Sequence, residues 1–195
     1  MNSAIKPMMN MWLRLCRSVR DLGSDVRGIA ATEFALVVPV MLILFFGTDE
    51  FSSGIAVNRK VTLMARTLSD LTSQNISVTD TQLTNFFNAS TGIMTPYSST
   101  PVKSTITELY VDPNTLVARV QWSKGDAPRT AGTSVAIPTA LQVGGSYLIF
   151  SEVSYIFVPT IGYVLKNSIT LSDFTYTRPR QSTCVMYNTT VCTTT

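Results

Sequence analysis

The run from residue 29 to residue 48 constrains this chain most, because it contains a single ionisable side chain, Glu33. A helix of about 20 residues, rising about 1.5 Å per residue, is about 30 Å long, which matches the hydrocarbon core of a bilayer. We therefore predict a membrane-spanning helix here. Pro39 lies inside the run and lacks an amide hydrogen, so we expect a kink, which membrane helices tolerate.

The charges on either side of the run predict its orientation. Residues 1–28 carry five basic and two acidic side chains, whereas Asp49 and Glu50 follow the run. By the positive-inside rule the N-terminus lies in the cytoplasm and the bulk of the chain outside, which in a bacterium is the periplasm. The basic segment and the apolar run are both long for a cleaved secretory signal, and no small-x-small cleavage site follows them. An uncleaved signal anchor remains an alternative.

Helical periodicity continues beyond the apolar run. Apolar residues recur at steps of three and four, with polar side chains on the other faces: Val57, Val61, Met64, Leu68 and Leu71. We predict one helix from about Ile29 to about Ser73, apolar nearly all round in its first half and amphipathic in its second. The sequence TDTQ at residues 79–82 is a capping-box pattern and predicts a second helix from about Asp80 to Ala89.

The sequence then changes to the period of strands. Four segments are rich in β-branched and aromatic residues: STITELYV, TLVARVQW, SYLIFSEVSYIFVP and SITLSDFTYT. In the second of these, Leu116, Ala118, Val120 and Trp122 alternate with other residues, which predicts that they share one face of a strand.

Turn signals separate these strands. Residues 112–114 (DPN) favour a hairpin, residues 123–134 an exposed loop, and Gly144 with Gly145 another turn. Helices followed by a run of strands predict an α+β fold, in which the amphipathic half of the long helix covers an antiparallel sheet.

Composition disfavours catalysis and nucleic-acid binding. The chain has no histidine, which removes Ser-His-Asp and Cys-His nucleophiles and nearly all zinc sites. Glu108 and Glu152 are conceivable as an acid/base pair, but nothing distinctive surrounds either. We predict no catalytic residue, metal or cofactor.

Residues 29–195 carry 15 − 5 = 10 basic and 12 − 2 = 10 acidic side chains, so we predict no nucleic-acid partner. The basic side chains of this part are interpreted as solvated surface: Lys103, Lys124, Arg129, Arg178 and Arg180.

A motif marks the start of the apolar run. A basic segment ends at Gly28, and Glu33 and Phe34 follow as the fifth and sixth residues after it. This spacing resembles the cleavage motif of type IV pilin-like proteins, most closely in the Tad (Flp) pilus branch. The string GIAATEFALVVPVMLILFFGTDEF, residues 28–51, resembles the N-terminal signature of TadE-like proteins, including Pro39 and a second Glu-Phe. Residues 61–74 and 175–182 resemble other stretches of that family more loosely.

The resemblance implies that a prepilin peptidase cuts after Gly28 and exposes the amine of Ile29. In pilin-like assemblies the glutamate is thought to pair with such an amine, which implies recognition and assembly roles for Glu33 and Phe34. In low dielectric an ion pair favours one register of subunit insertion, because an unpaired charge is penalised. The implied partners are the peptidase, other Tad pilins or pseudopilins, the inner-membrane assembly platform and membrane lipid.

Cleavage at Gly28 would also remove Cys16. It would leave Cys184 and Cys192, which are close together in a Thr-rich stretch, in a compartment where disulfides form. We predict a disulfide between them, with two free thiols as the alternative.

These observations predict a minor pilin or pseudopilin of a Tad pilus, anchored once in the inner membrane or incorporated in an extracellular pilus. The expected parts are a basic cytoplasmic leader (1–28), a long helix (29–73) and an extracytoplasmic α+β domain (74–195). Such a domain argues against the major Flp subunit, which is little more than a helix. The alternative is a signal-anchored periplasmic binding or enzymatic domain that never enters a filament.

Overall fold

The structure, a computed structural model, describes residues 27–159 and 167–192. The predicted leader up to residue 26, with Cys16, lies outside the described residues. The chain forms two compact units, Met1–Thr48 and Asp49–Thr195.

One long helix, α1, extends from Arg27 to Ser73 and is continuous through Pro39. In the first unit most of its large apolar side chains are exposed, from 47 % at Leu42 to 76 % at Leu36, while Val38 and Phe46 are half-buried. Among the described residues, α1 is the one helix long and apolar enough to cross a membrane. The helix predicted over residues 29–73 is confirmed.

In the second unit the amphipathic part of α1 covers a sheet. The predicted stripe is buried, since Val57, Val61, Met64 and Leu68 are fully inaccessible to solvent. Leu71 is only half-buried, and the buried face continues instead through Thr72. The amphipathic period thus predicts which face of the helix packs.

The second helix, α2 (Asp80–Thr91), begins at the predicted capping box. Thr79 Oγ1 accepts from the Gln82 amide at 3.3 Å, and the Gln82 side chain accepts from the Thr79 amide at 2.9 Å. The helix runs two residues beyond the predicted Ala89 and is followed by a 3-10 turn, Gly92–Met94. Lys60 of α1 donates to the carbonyls of Ile93 and Thr95, both at 2.8 Å.

Five strands form an antiparallel sheet in the order β4-β3-β2-β5-β6, and two short strands, β1 and β7, pair in parallel. Their bounds are β1 Ser77–Val78, β2 Val102–Val111, β3 Ala118–Gly125, β4 Ser134–Val135, β5 Tyr147–Phe157, β6 Ile169–Thr177 and β7 Met186–Tyr187. A long helix packed on an antiparallel sheet is the predicted α+β class.

The sheet has a hydrophobic cluster on each face. The helix-covered face carries Ile106, Ile149 and Val153. The other face carries Leu109 and Leu148, together with residues of the connection between β3 and β5.

A bulge overturns the predicted single face of β3. Glu108 pairs with Trp122, but the next residue, Leu109, pairs with Val120, which leaves Gln121 as an extra residue. Because side chains alternate between faces, the extra residue puts Val120 and Trp122 on opposite faces. Leu116 lies outside β3, in the turn, with a φ of 57°.

The loop is shorter at both ends than the predicted range, residues 123–134. Ser123–Gly125 continue β3 opposite β2, and Ser134 begins β4. Gly125 has a φ of 135°, and a Cβ there would overlap the carbonyl of Ser104, so this close approach requires glycine. The predicted hairpin between β2 and β3 and the turn at Gly144 and Gly145 are both present.

Candidate functional site

The residues of the N-terminal motif lie on exposed surface of α1. Gly28, Ile29 and Glu33 are all exposed, and Phe34 is 71 % exposed. Ile29 and Glu33 are four residues apart, so they lie on one side of the helix, a turn from each other. The structure thus places the carboxylate of Glu33 one turn from the residue whose amine the predicted cleavage would create.

Within the part of the chain that the structure describes, Gly28 has no steric reason to be glycine. It lies within α1, and a Cβ built on it meets no described atom within 4 Å. Glycine in a helix interior costs about 1 kcal/mol relative to alanine. The described residues therefore give no structural reason for glycine at this position.

A second cluster lies in the core, where two side chains of the sheet bind the backbone of Val185. The Val185 N–H donates to Glu108 Oε1 at 2.6 Å, and the Trp122 indole N–H donates to the Val185 carbonyl at 2.8 Å. Glu108 and Trp122 are paired across β2 and β3, and Val185 is fully buried. The segment around Val185 is therefore part of the core.

A disulfide closes this C-terminal segment. Cys184 and Cys192 are bonded to each other. Between them, Tyr187 stacks on Trp122 with ring centroids 5.7 Å apart, and its hydroxyl donates to Asp80 at the start of α2. We call residues 184–192 with their partners Glu108 and Trp122 the C-terminal clamp.

Burial raises the pKa of Glu108 to about 7, against the lowering effect of its hydrogen bonds with Val185 and Trp122. An oxygen of Glu108 and the sulfur atoms of Cys184 and Cys192 lie within 4.8 Å of one another. Because the two sulfurs are joined, neither is the thiolate that a metal ion needs. Sequence reasoning predicted the disulfide of the clamp but not the contacts of Glu108 and Trp122 with Val185.

Glu108 and Glu152 do not form an acid/base pair. Glu108 pairs with Ile149 on the helix-covered face, whereas Glu152 pairs with Thr105 and lies on the opposite face. Glu152 forms a two-pronged ion pair with Arg129. With a sheet between them, the two carboxylates cannot act on one substrate.

Three of the five basic side chains considered above, Lys124, Arg129 and Arg180, each pair with a different acidic residue. Lys124 Nζ lies 3.4 Å from Asp80, and a guanidinium nitrogen of Arg180 lies 2.5 Å from Asp70. The Arg180 amide also donates to the carbonyl of Ser73, the last residue of α1. The segment 175–182 thus ties the end of β6 to the end of the helix.

The described part of the chain combines one helix suited to a membrane with an α+β unit that contains a disulfide. The family model for TadE-like proteins matches residues 28–68. This match begins at Gly28, extends into the buried stripe of α1, and confirms the resemblance to TadE-like proteins of the Tad pilus system over that segment. No curated protein and no solved structure matches the chain.

The TadE-like family is associated with the Tad pilus and is structural rather than catalytic. The apolar part of α1 is compatible with a single membrane anchor.

Proposed function

We propose that this protein is a minor pilin or pseudopilin of a Tad-type pilus, matured by a prepilin peptidase between Gly28 and Ile29. One observation carries the proposal: the family match starts at a glycine that the described part of the fold does not require, five residues before the only ionisable side chain of the apolar run 29–48. Cleavage by a protease explains such a glycine, because a residue without a side chain lets the protease approach the backbone closely.

In this proposal the new amine of Ile29 pairs with Glu33 of the same or a neighbouring subunit. The two residues lie one helical turn apart on exposed surface, so the carboxylate is open to an amine from either source. A paired charge inside a helix bundle sets the register of the subunit, because leaving one partner alone costs about 3–5 kcal/mol.

The proposal also assigns orientation and partners. The leader lies in the cytoplasm and residues 49–195 lie in the periplasm, in accord with the basic flank upstream of the apolar run. The partners are the prepilin peptidase, other Tad pilins or pseudopilins and the inner-membrane assembly platform. The protein initiates or supports the pilus through its apolar helix.

N-terminal sequencing of the membrane-extracted protein tests the cut. In cells with an active prepilin peptidase, we expect a mature chain that begins at Ile29. Gly28→Leu should leave the precursor uncut, because it places a bulky side chain at the position where the peptidase requires the smallest residue.

The matched control is Ala30→Leu, which adds the same side chain two residues away on the same exposed helix and should be processed. A wild-type chain that keeps residues 1–28 would contradict the proposal. So would equal processing of the two variants.

A signal-anchored binding domain is the second candidate, and one feature favours it. The face of the sheet away from α1 carries a groove of about 440 Å³ whose lining includes Arg129, Glu152 and Phe174. Phe174 is 57 % exposed. In that case the chain keeps its leader, so the same N-terminal sequencing separates the two candidates.

A further inference from the structure

A second groove lies in the Asp49–Thr195 unit, beside the first residues of α1 that follow the apolar run. It has a volume of about 490 Å³. Phe51 and Ile55 of α1 form one wall, and Phe157, Ile169 and Leu171 of β5 and β6 form the other. The groove is therefore apolar on both sides.

Its apolar side chains are poorly covered by protein. Phe51 is 68 % exposed, Ile55 48 % and Ile169 39 %. A Cβ on Gly54 would lie 3.8 Å from the Phe157 ring, in ordinary van der Waals contact, so the helix and β5 are neighbours here. The floor of the groove is thus packed while its rim stays open, and open apolar rims mark interaction surfaces.

The position of the groove along the chain indicates what it contacts. Phe51 and Ile55 follow Thr48 by three and seven residues. At a rise of about 1.5 Å per residue, both lie within about 10 Å of Thr48 along the helix axis. The polar headgroup layer on each side of a bilayer is about 5–8 Å thick. Side chains of a helix also lean toward its N-terminus, which here is the side of the apolar run.

One cationic side chain, that of Arg59, also lines the groove. Arg59 is spaced by four residues from Ile55, as Ile55 is from Phe51, so the three lie on one face of α1. Arginine places its stem along apolar surface and extends its head toward polar groups, and a guanidinium binds phosphate well. Glu50 also lines the groove but is only 3 % exposed.

We propose that this groove docks on phospholipid of the leaflet from which α1 emerges, with the acyl-chain boundary at Phe51, headgroup and glycerol atoms against Ile55 and Ile169, and a phosphate within reach of the Arg59 side chain. This inference rests on the proposed membrane anchoring of α1.

Photo-crosslinking of the full chain tests the inference. The photoreactive amino acid p-benzoylphenylalanine replaces Ile55 or Ile169 in separate variants, and each is reconstituted in vesicles of phosphatidylethanolamine and phosphatidylglycerol with tritiated acyl chains. Both positions are exposed, and formation of the Cys184–Cys192 bond reports folding of each variant. We expect several-fold more tritium on both variants than on a variant with the photoreactive residue at Val143, the negative control.

Two matched positions serve as controls. Val143 is 46 % exposed and lies in the connection before β5, whose first residue, Tyr147, is about 33 Å from Phe157 along the strand, so it should take up no lipid. Leu36, in the apolar run, must be labelled by lipid if α1 spans the bilayer.

Labelling at Leu36 without labelling at Ile55 and Ile169 overturns the docking inference and leaves the anchor intact. Crosslinks from Ile55 or Ile169 to a second copy, or to residues of the same chain instead of lipid, also overturn it. Absence of lipid on Leu36 contradicts the anchor itself, and with it both the inference and the proposed function.

Discussion

Glu108 is a carboxyl group held in the core of the second unit. It is 1 % exposed, and burial raises its pKa to about 7 because a charged carboxylate loses its hydration there. The hydrogen bond from Val185 compensates only part of that loss. At neutral pH the C-terminal clamp therefore contains a carboxyl group near its titration midpoint.

This shift makes the free energy of unfolding depend on pH. The pKa of Glu108 is about 7 in the folded protein and 4.5 as the reference value for an unfolded chain. Between these values the folded state binds more protons at Glu108 than the unfolded state, so the contribution of Glu108 to stability is fully present below pH 4.5 and falls as pH rises toward 7. A shift of this size corresponds to about 3 kcal/mol.

Glu108→Gln should remove the fall in the free energy of unfolding between pH 4.5 and 7. The glutamine amide oxygen still accepts from the Val185 N–H, and the side chain carries no charge at any pH. Denaturant unfolding of the detergent-solubilised protein at several pH values measures it. Glu152→Gln, in the neighbouring strand, is the control and should keep the wild-type dependence between pH 4.5 and 7. If Glu108→Gln keeps that dependence as well, Glu108 is not its source.

At the scale of elements, α1 owes its place in the second unit to one stripe of apolar side chains. Leu68 is fully buried in the hydrophobic cluster, whereas Leu63 is 52 % exposed on the same helix. We expect Leu68→Ala to lower the free energy of unfolding by about 2–5 kcal/mol, because it leaves a cavity.

Leu63→Ala makes the identical chemical change on the exposed side and should cost about 0.5 kcal/mol or less. Thermal or denaturant unfolding of the two variants provides the comparison. Equal losses would show that the stripe does not hold α1 on the sheet.

Local signals were enough to predict some elements. The 3.6-residue stripe predicted α1, the Thr79–Gln82 box predicted the start of α2, and DPN predicted the hairpin between β2 and β3. Each of these depends on residues close together in the chain. The N-terminal motif was recognisable for the same reason, since Gly28 and Glu33 are separated by one fixed spacing.

Contacts between distant residues were not predictable. The bulge at Gln121 changes which face Trp122 occupies, and alternation in the sequence gives no sign of one extra residue. The clamp joins Glu108 to Val185, and the partner of a buried carboxyl group becomes known only when the chain is folded. The pairing of β1 with β7 joins two-residue strands that have no period at all.

At the scale of the whole molecule, the proposed role depends on how subunits pair. Glu33→Leu should allow the cut after Gly28 but lower the yield of pili at least about tenfold, because the Ile29 amine would lack a partner in low dielectric. Glu33→Asp keeps the charge and is the matched control, with a smaller loss expected. Electron microscopy of sheared pili, with N-terminal sequencing of the cell-bound protein, measures both steps.

Pili at wild-type level in the Glu33→Leu strain would contradict the assembly role of Glu33. A Glu33→Leu chain that remains uncut would place its role in peptidase recognition instead.

The buried Val185 has a consequence for biosynthesis. The core that it completes begins with Val57, and translation proceeds at about 5–20 residues per second, so roughly 6–25 seconds separate the synthesis of the two. During that interval the sheet lacks the segment that satisfies Glu108 and Trp122, and the nascent unit cannot close early. Stop codons or fusion joints before residue 185 should therefore yield a chain that proteases degrade, whereas a fusion after Cys192 leaves the clamp intact.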